Sequence, residues 1–544
     1  MRPDIRPHRV RLRPLAELAA LLGARTAGRD SPGPLSLPAR SRGVSGVTHD
    51  SRRVRPGDLY AALPGSSQHG ARFCADAAAA GATAVLTDPA GKEHAIRSGL
   101  PVFVVADPRS RLGEVASWVY GQPSQKLTLI GVTGTSGKTT TTYLTESGLR
   151  AAGHRAGLVG GVQTRIGDTV TGSALTTPEA ADLQALLAAM LEQGVSGAAM
   201  EVSSHALALG RVAGTSFDVA VFTNLSQDHL DFHQTIDDYF AAKAALFTPG
   251  FARAGVVNID DSHGRILVAD PKIPLTTYSA AGNPAADWRA ADVRAGSDGS
   301  TFRVVGPGGV EADASVTLPG LFNVANALAA IVALVEAGVG LATAVAGVAA
   351  CPGVPGRLER VEAGQDFTVF VDYSHKPGAV RAVLEALRPV TAGRLAIVLG
   401  CGGDRDSGKR PLMGAAAAEL ADVAIFTSDN PRSEDPLGIL AEMLAGALTV
   451  PTAGRAHVII EPDRAAAIGL AIAGADKGDV VVVAGKGHER GQYAGATVIP
   501  FDDREVAAEA LGRQLRQAGG TGPAGTGPRD VGPRDIGHSD GGTQ

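Results

Sequence analysis

The residues best suited to chemistry lie in one run, Gly131-Val132-Thr133-Gly134-Thr135-Ser136-Gly137-Lys138-Thr139-Thr140. Glycines let backbone N–H groups close around phosphate oxygens, a lysine reaches the outer phosphates, and the next hydroxyl can hold magnesium. Lys138 and Thr139 stand in those two places. One detail departs from the usual phosphate loop. Val132 occupies the position of the first glycine, and the nearest glycines are Gly131 and Gly134. Two more runs carry a carboxylate and an imidazole just after apolar stretches: 200–205, with Glu201, Ser203 and His205, and 222–231, with Asp228 and His229. Brought to the edge where Thr139 lies, they could complete magnesium coordination around a nucleotide. A third run, 239–247, contains Lys243. By pattern alone it is an ordinary helical lysine that snorkels from an apolar helix. Asp429-Asn430-Pro431-Arg432 reads, by composition, as a polar turn after a strand.

These groups need elements that deliver them to common edges. The phosphate run follows an apolar, β-rich stretch at 127–130 and precedes helix formers at 143–146, which is a strand–loop–helix layout. Strand-like runs at 197–201, 218–222 and 254–258 alternate with helical ones, which argues for a mainly parallel sheet whose strand ends gather ligands. A further set, at 368–371, 395–399, 423–426 and 480–483, predicts a second α/β unit. Before them, a unit of short strands carries a helix at 74–80 and a strand at 82–86. The chain is therefore read as an α/β protein of three domains, at 1–124 (with 1–44 as an extension), 125–354 and 355–518, joined through linkers at 121–124 and 351–356. A Gly/Pro/Asp-rich tail at 519–544 is expected to be disordered.

Length and composition agree with that division. A chain of 544 residues is too long for one core, and its aromatic content of 4% leaves the cores to Ala, Val and Leu. A net charge of −5 argues against a general nucleic-acid binder. Cys74, Cys351 and Cys401 form neither a metal spacing nor a disulfide framework, which fits a reducing compartment. The run 15–23 is expected to be a short helix closed by Gly23 and not a signal peptide. The apolar stretch 321–350, interrupted by Asn323, Asn326 and Glu336, is expected to be two buried helices and not a membrane span.

Over roughly residues 45–515 the chain resembles the Mur ligases, the ATP-dependent amide-forming enzymes of peptidoglycan precursor synthesis. The run Thr133, Gly134, Thr135, Ser136, Gly137, Lys138, Thr139, Thr140 is similar to that family's phosphate loop, displaced glycine included. The resemblance implies a small UDP-binding α/β domain, a central parallel-sheet P-loop ATPase domain and a C-terminal Rossmann-like domain. It implies Lys138, Glu201, His229 and Lys243 as catalytic groups. Thr139, Glu201, His229 and a carbamylated Lys243 would serve as the magnesium site, and Asn323, Arg357 and Asp372 as further ATP contacts. Within the family, the first domain (Asp50-Ser51-Arg52, then Pro56-Gly57-Asp58-Leu59) and Thr176, Thr177, Ser203 and Arg211 resemble those of members that bind UDP-N-acetylmuramoyl-L-alanyl-D-glutamate. Asp429, Asn430, Pro431 and Arg432 match a recognition motif for meso-diaminopimelate, with Arg405, Gly485 and Glu489 as further contacts. A guanidinium is the matched partner for the carboxylate that distinguishes diaminopimelate from lysine. His69 receives no role, and His375 and His488 are expected near the cleft as supporting groups behind the ligand contacts. The implied protein is a monomeric cytoplasmic ligase of cell-wall biogenesis, with no nucleic-acid or membrane partner. The rival readings are a folylpolyglutamate-synthase-like ligase, a lysine-adding ligase and an ATP-binding regulatory protein without catalysis. The first-domain motif, Arg432, and the presence of Lys138, Glu201 and Lys243 argue against them in turn.

Overall fold

The computed structural model describes residues 5–23, 26, 27, 43–65 and 67–519. Three main sheets organise them. The first has parallel strands Gly46–Thr48, Asp58–Ala62, Ala84–Thr87 and Val102–Val104 side by side, with Thr26–Ala27 antiparallel at its edge. The helix Cys74–Ala79 and the strand Ala84–Thr87 form close to where the pattern predicts them. Leu15–Leu22 is a helix, and Gly23 ends it in the left-handed region at φ 60°.

The central sheet has eleven strands. Its parallel part runs, in spatial order, Ala156–Val159, Gly197–Glu201, Thr128–Thr133, Phe217–Phe222, Ala252–Asn258, Leu275–Ser279 and Trp288–Gly296, with antiparallel hairpins extending both ends. The inner strands are buried along nearly their whole length, which is why they read as unbroken apolar runs. Thr128–Thr133 lies between Gly197–Glu201 and Phe217–Phe222 and pairs Val132 with Glu201 and Thr133 with Phe222. That register carries the phosphate loop, Glu201 and the loop after Phe222 to one edge of the sheet, where ligands of such sheets bind. The apolar stretch 321–350 forms two helices, Leu321–Glu336 and Leu341–Ala349, separated at Gly338, whose φ is 91°. No helix among the described residues is long and apolar enough to cross a membrane.

The third sheet orders Glu359–Arg360, Thr368–Asp372, Val480–Ala484, Leu395–Leu399, Val423–Phe426 and His457–Ile460, all parallel except the first. Asp372, Leu399 and Phe426 end level with Ala484 or with one another, so the loops at 373–376, 400–408, 427–435 and 485–490 share one edge. In chain order the 351–356 linker joins the units of the two larger sheets. Within the N-terminal extension, residues 6–9 tie the first sheet to the helix Ala180–Glu192 of the central unit. The Arg6 guanidinium pairs with Asp58 at 2.7 Å, and the His8 and Arg9 N–H groups donate to the Glu192 carboxylate at 2.7 and 2.8 Å. The expected tail lies outside the described residues, except for Gly519, which ends the helix Asp503–Gly519. All three cysteines are buried and free.

Candidate active site

The phosphate loop is shaped by two glycines in the left-handed half of the map, Gly134 at φ 148° and Gly137 at φ 86°. A Cβ at Gly134 would lie 1.9 Å from Thr223 Oγ1, and one at Gly137 would lie 2.3 Å from Asn326 Oδ1. Both positions therefore require glycine for conformation and for space. Val132, by contrast, is a fully buried strand residue, which explains why the usual first glycine is displaced. Asn224 frames the loop from the neighbouring strand. Its Oδ1 accepts from Ser136 N at 2.9 Å and its carbonyl from Thr135 N at 2.9 Å, while the Thr223 hydroxyl donates to Ser136 O at 2.7 Å. The helix Lys138–Ala151 starts directly after the loop and adds its free N–H groups; Thr139 and Thr140 are buried in its first turn.

Two lysines meet at this loop. Lys138 Nζ donates to the carbonyls of Gly134 (2.8 Å) and Thr135 (2.9 Å), and Lys243 Nζ donates to the same Gly134 carbonyl at 2.7 Å. The snorkelling expected of Lys243 is thereby corrected: its relative exposure is 1%. The helix Ile236–Ala244 lays Tyr239 and Lys243, one turn apart, on its inward face. Tyr239 hydrogen-bonds Thr135 Oγ1 at 3.1 Å, and the Lys243 ammonium lies 4.4 Å from the Tyr239 ring centroid. Burial, reinforced by Lys138, pushes the Lys243 amine well below its ordinary value. Burial also lowers Lys138, to about 8, with Glu201 opposing the shift.

The donor set suits a magnesium ion that arrives with phosphates. Thr139 Oγ1 donates to Glu201 Oε2 at 3.0 Å, and Glu201 Oε1 accepts from Gly161 N at 2.9 Å, so a hydroxyl and an oriented carboxylate stand together. Among the described residues no three His, Cys, Asp or Glu side chains converge into a cage. Magnesium characteristically takes one or two carboxylates plus phosphate and water oxygens. His229 lies on the loop after the strand Phe217–Phe222. Its backbone is left-handed at φ 53° and its Nε2 lies 3.1 Å from Asp228 Oδ2, while its ring packs edge-on to His205 with centroids 4.7 Å apart. Burial pushes His229 down to about 4, against the pull of Asp228. A neutral imidazole at ordinary pH is the form able to ligate a metal.

From the start of the third domain, Arg357 Nη2 donates to Thr139 Oγ1 at 3.3 Å, and its guanidinium sits 4.5 Å from the Tyr373 ring centroid. The third domain thus touches the nucleotide loop. Lys376 adds an ion pair to Asp228, the carboxylate that contacts His229. Asp372 accepts from Leu358 N at 2.7 Å and from Ser374 N at 2.8 Å, so its carboxylate organises the chain leaving the linker. Asn323 and Asn326 are buried at the start of Leu321–Glu336. Asn326 Nδ2 donates to Asn323 Oδ1 at 3.1 Å, and Asn326 Oδ1 accepts from Thr141 Oγ1 at 3.4 Å.

The 429–432 turn is built into a side-chain network. Arg432 is left-handed at φ 52°; its N–H donates to Tyr493 O, its carbonyl accepts from Gly495 N at 2.6 Å, and Nη1 donates to Gly403 O. Strain of this kind at a non-glycine residue concentrates at functional sites. Asn430 Nδ2 donates to Glu489 Oε2 at 3.0 Å. Gly485, at φ 114°, follows the strand Val480–Ala484 and donates its N–H to Asp372 O at 3.1 Å. Pro431 is buried, whereas Arg405 is exposed on the 400–408 loop. Two residues that pattern reading passed over belong here. Lys486, fully buried, bonds Asn430 Oδ1, and Arg410, also buried, bridges Glu434 (2.8 Å) and Glu442 (3.2 Å) beneath the loop. The only sequence signal for Lys486 is its place between two glycines after a strand.

On the opposite side, Thr177 Oγ1 donates to the Glu201 carbonyl at 2.9 Å and accepts from Ser203 N at 3.1 Å. Thr177 and Ser203 are thereby tied to the Glu201 strand end, with Thr176 beside Gly161. Arg211 Nε lies 2.9 Å from Glu179 Oε1. Ser51 opens a short 3-10 turn in the first domain, capped by Asp50, whose carboxyl the Arg52 guanidinium holds below its ordinary value. His69 has a structural role: Nδ1 accepts from Ala71 N at 3.0 Å, and Nε2 lies 3.0 Å from Asp88 Oδ1.

Comparison with known proteins follows the same three-part division. The Mur ligase family catalytic-domain pattern matches residues 43–120, the Mur ligase middle-domain pattern 132–334, and the Mur ligase glutamate-ligase-domain pattern 356–487. The chain is 58% identical over 506 residues to the UDP-N-acetylmuramoyl-L-alanyl-D-glutamate--2,6-diaminopimelate ligase of Streptomyces coelicolor, covering 93% of this chain and 98% of the relative. It is 48% identical over 491 residues to the protein of the same name from Corynebacterium glutamicum, covering 88% of this chain and 94% of the relative. A solved structure of a UDP-N-acetylmuramoyl-L-alanyl-D-glutamate--2,6-diaminopimelate ligase superposes with a TM-score of 0.65 at 34% identity, covering 89% of this chain and 98% of the other. With its phosphate loop, its three sheets and its relatives in agreement along nearly the whole chain, the protein belongs to the Mur ligase family.

Proposed function

We propose that this protein joins meso-diaminopimelate to the free D-glutamate carboxyl of UDP-N-acetylmuramoyl-L-alanyl-D-glutamate, using ATP, in the cytoplasmic synthesis of peptidoglycan precursor. The observation that carries this reading is the junction of Arg357 with Thr139: the nucleotide loop and the domain bearing the Asp429-to-Arg432 turn meet at one hydroxyl. The names of the most similar relatives supply the substrate class. Three buried free thiols suit a reducing compartment, and the enzyme acts as a monomer in this reading.

Two steps follow. A carboxylate oxygen of the D-glutamate side chain attacks the γ-phosphorus of ATP; the bond to ADP breaks and an acyl phosphate forms. The amine nitrogen of diaminopimelate then attacks the acyl carbon, phosphate leaves, and the nitrogen loses a proton as the amide forms. The protein needs no nucleophile of its own. Its task is to position the reactants and neutralise charge. Lys138 moves from the loop carbonyls to the phosphates when nucleotide fills the cradle. Thr139, Glu201, His229 and a carbamylated Lys243 would hold magnesium, which would supply neutralisation of phosphate charge. Lys243 is suited to carbamylation because its depressed basicity leaves a neutral amine: the nitrogen adds to carbon dioxide and loses one proton. Such a carbamate places an anion beside Lys138. Arg432 receives the distal carboxylate of diaminopimelate and Glu489 its ammonium, with Arg405, Asn430 and Gly485 around them. Ser51, Thr176, Thr177, Ser203 and Arg211 bind the UDP-linked dipeptide. Closure about the linker excludes water from the acyl phosphate.

The test is phosphate release in the presence of ATP and the UDP-linked dipeptide, with either diaminopimelate or lysine as the amine. Diaminopimelate-dependent release is expected. Release with lysine alone would overturn the specificity, and release with neither amine would favour an ATP-binding protein without ligase activity.

A further inference from the structure

Lys486 is fully buried on the loop after Val480–Ala484. A buried ammonium is tolerated only when it is paired and hydrogen-bonded. Its partners are the residues that frame the amine-substrate pocket: Nζ donates to Asn430 Oδ1 at 2.8 Å and to Asp429 Oδ1 at 3.3 Å, and lies 3.5 Å from Glu489 Oε2. Asn430 Oδ1 also accepts from Tyr493 N at 3.1 Å. Two donors on one oxygen decide which way the amide points, so Nδ2 must face Glu489 Oε2, to which it donates at 3.0 Å. One carboxylate oxygen of Glu489 is thus held from inside, while the side chain keeps 32% of its surface open to a ligand.

The charges complete the picture. Asp429 and Glu489 bring two carboxylates to this pocket; Lys486 and Arg432 bring two cations, and Arg405, exposed on the 400–408 loop, adds a third at the rim. The next cation inward, Arg464, cannot replace Lys486, because Asp503 holds it at 2.7 Å with both side chains fully buried. Lys486 offsets Asp429, which leaves Glu489 to face a ligand ammonium and Arg432, with Arg405, to face a ligand carboxylate. Without Lys486 the Asp429 carboxylate loses its cation, and the preference shifts towards an end that carries an ammonium alone.

We infer that Lys486 is a specificity-determining positioning residue: it fixes the Asn430 amide and the Glu489 carboxylate and balances Asp429, so that the pocket takes a zwitterionic substrate end over a purely cationic one. This rests on the diaminopimelate reading above. The experiment compares wild type, Lys486→Met, and the double variant Asp429→Asn/Lys486→Met, which removes one carboxylate and one cation together. Steady-state kinetics are measured with diaminopimelate and with lysine, at varied ATP and UDP-linked dipeptide. For Lys486→Met the KM for diaminopimelate is expected to rise about tenfold or more. The KM values for ATP and the UDP-dipeptide should stay within about twofold. The ratio of kcat/KM for diaminopimelate to that for lysine should fall about tenfold, and the double variant should recover much of it. Equal rises in all KM values, or an unchanged ratio beside a raised KM for diaminopimelate, would make Lys486 a structural residue and overturn the inference. If the single variant melts below the assay temperature, the double variant decides alone: a kept preference for diaminopimelate supports charge balance, and a lost one refutes it. Wild type that uses no diaminopimelate would defeat the functional reading itself, whereas wild-type turnover with an unaltered preference in Lys486→Met would defeat only this assignment.

Discussion

At the phosphate loop two lysines, Lys138 and Lys243, converge on one backbone carbonyl, that of Gly134. At the proposed amine pocket one lysine, Lys486, stands among the side chains of Asp429, Asn430 and Glu489. The loop offers mostly backbone groups to a ligand and gathers Lys138 and Lys243 at one carbonyl. The pocket is built of side chains, and Lys486 offsets Asp429 within it. The first arrangement suits a ligand of high charge recognised by phosphate geometry, which one short run can supply. The second suits a small zwitterion that must be told from a near relative, which takes donors and acceptors from several loops. The cradle holds its cations loosely enough to hand Lys138 to a ligand, whereas the pocket holds Lys486 out of reach of solvent.

The contrast can be broken most severely at the cradle. Lys138→Ala is expected to reduce kcat/KM by about a thousandfold or more while the protein stays folded, since it removes a charge aimed at the transferring phosphoryl group. A loss below about tenfold would show that the loop backbone alone carries phosphate stabilisation. Lys243→Ala should be inactive and partly rescued by added short carboxylates; full activity without them would remove the carbamate from the mechanism. At the pocket, Arg432→Ala should raise the KM for diaminopimelate by roughly a hundredfold, as expected when a matched charge partner is lost, and leave that for ATP nearly unchanged. Equal effects on both would make Arg432 a structural residue of its strained turn.

The smallest expected effect is on stability and comes from the seam between the two regions. His375 and His488 are both pushed down by burial, to about 4 from an ordinary 6.5. Each stays neutral in the folded protein while the unfolded chain takes up a proton below 6.5. Their contribution is therefore complete above pH 6.5 and lost as the pH falls towards about 4. Melting temperature should fall over that interval, and the His375→Gln/His488→Gln variant should show a shallower fall. An unchanged slope would mean that carboxylates set the acid limb.

Much of the architecture was legible because it is local. The strands at 395–399 and 423–426 form with the predicted bounds, and the strand predicted at 480–483 runs one residue further, to Ala484. The split of 321–350 into two helices follows from the glycines near 338. The strand predicted at 127–130 begins one residue later and extends to Thr133, because the buried Val132 and Thr133 still pair with the neighbouring strands. Lys243 shows where local reading stops. On its own helix nothing separates it from a surface lysine; only the loop packed over it makes it a buried amine.

The sequence by itself determined the phosphate cradle, since glycines, lysine and threonine there are neighbours in the chain and their conformations are set within a few residues. Resemblance extended that to Glu201, His229 and Arg432 as an implied set. Tertiary structure alone decided that Lys138 and Lys243 share one carbonyl, that Arg357 reaches Thr139 from the third domain, and that Lys486 holds Asn430. The physical reason is range: dihedral preferences and hydrophobic periodicity act over a few residues, whereas burial, charge pairing and a shared hydrogen-bond acceptor exist only once distant strand ends have been brought to one edge.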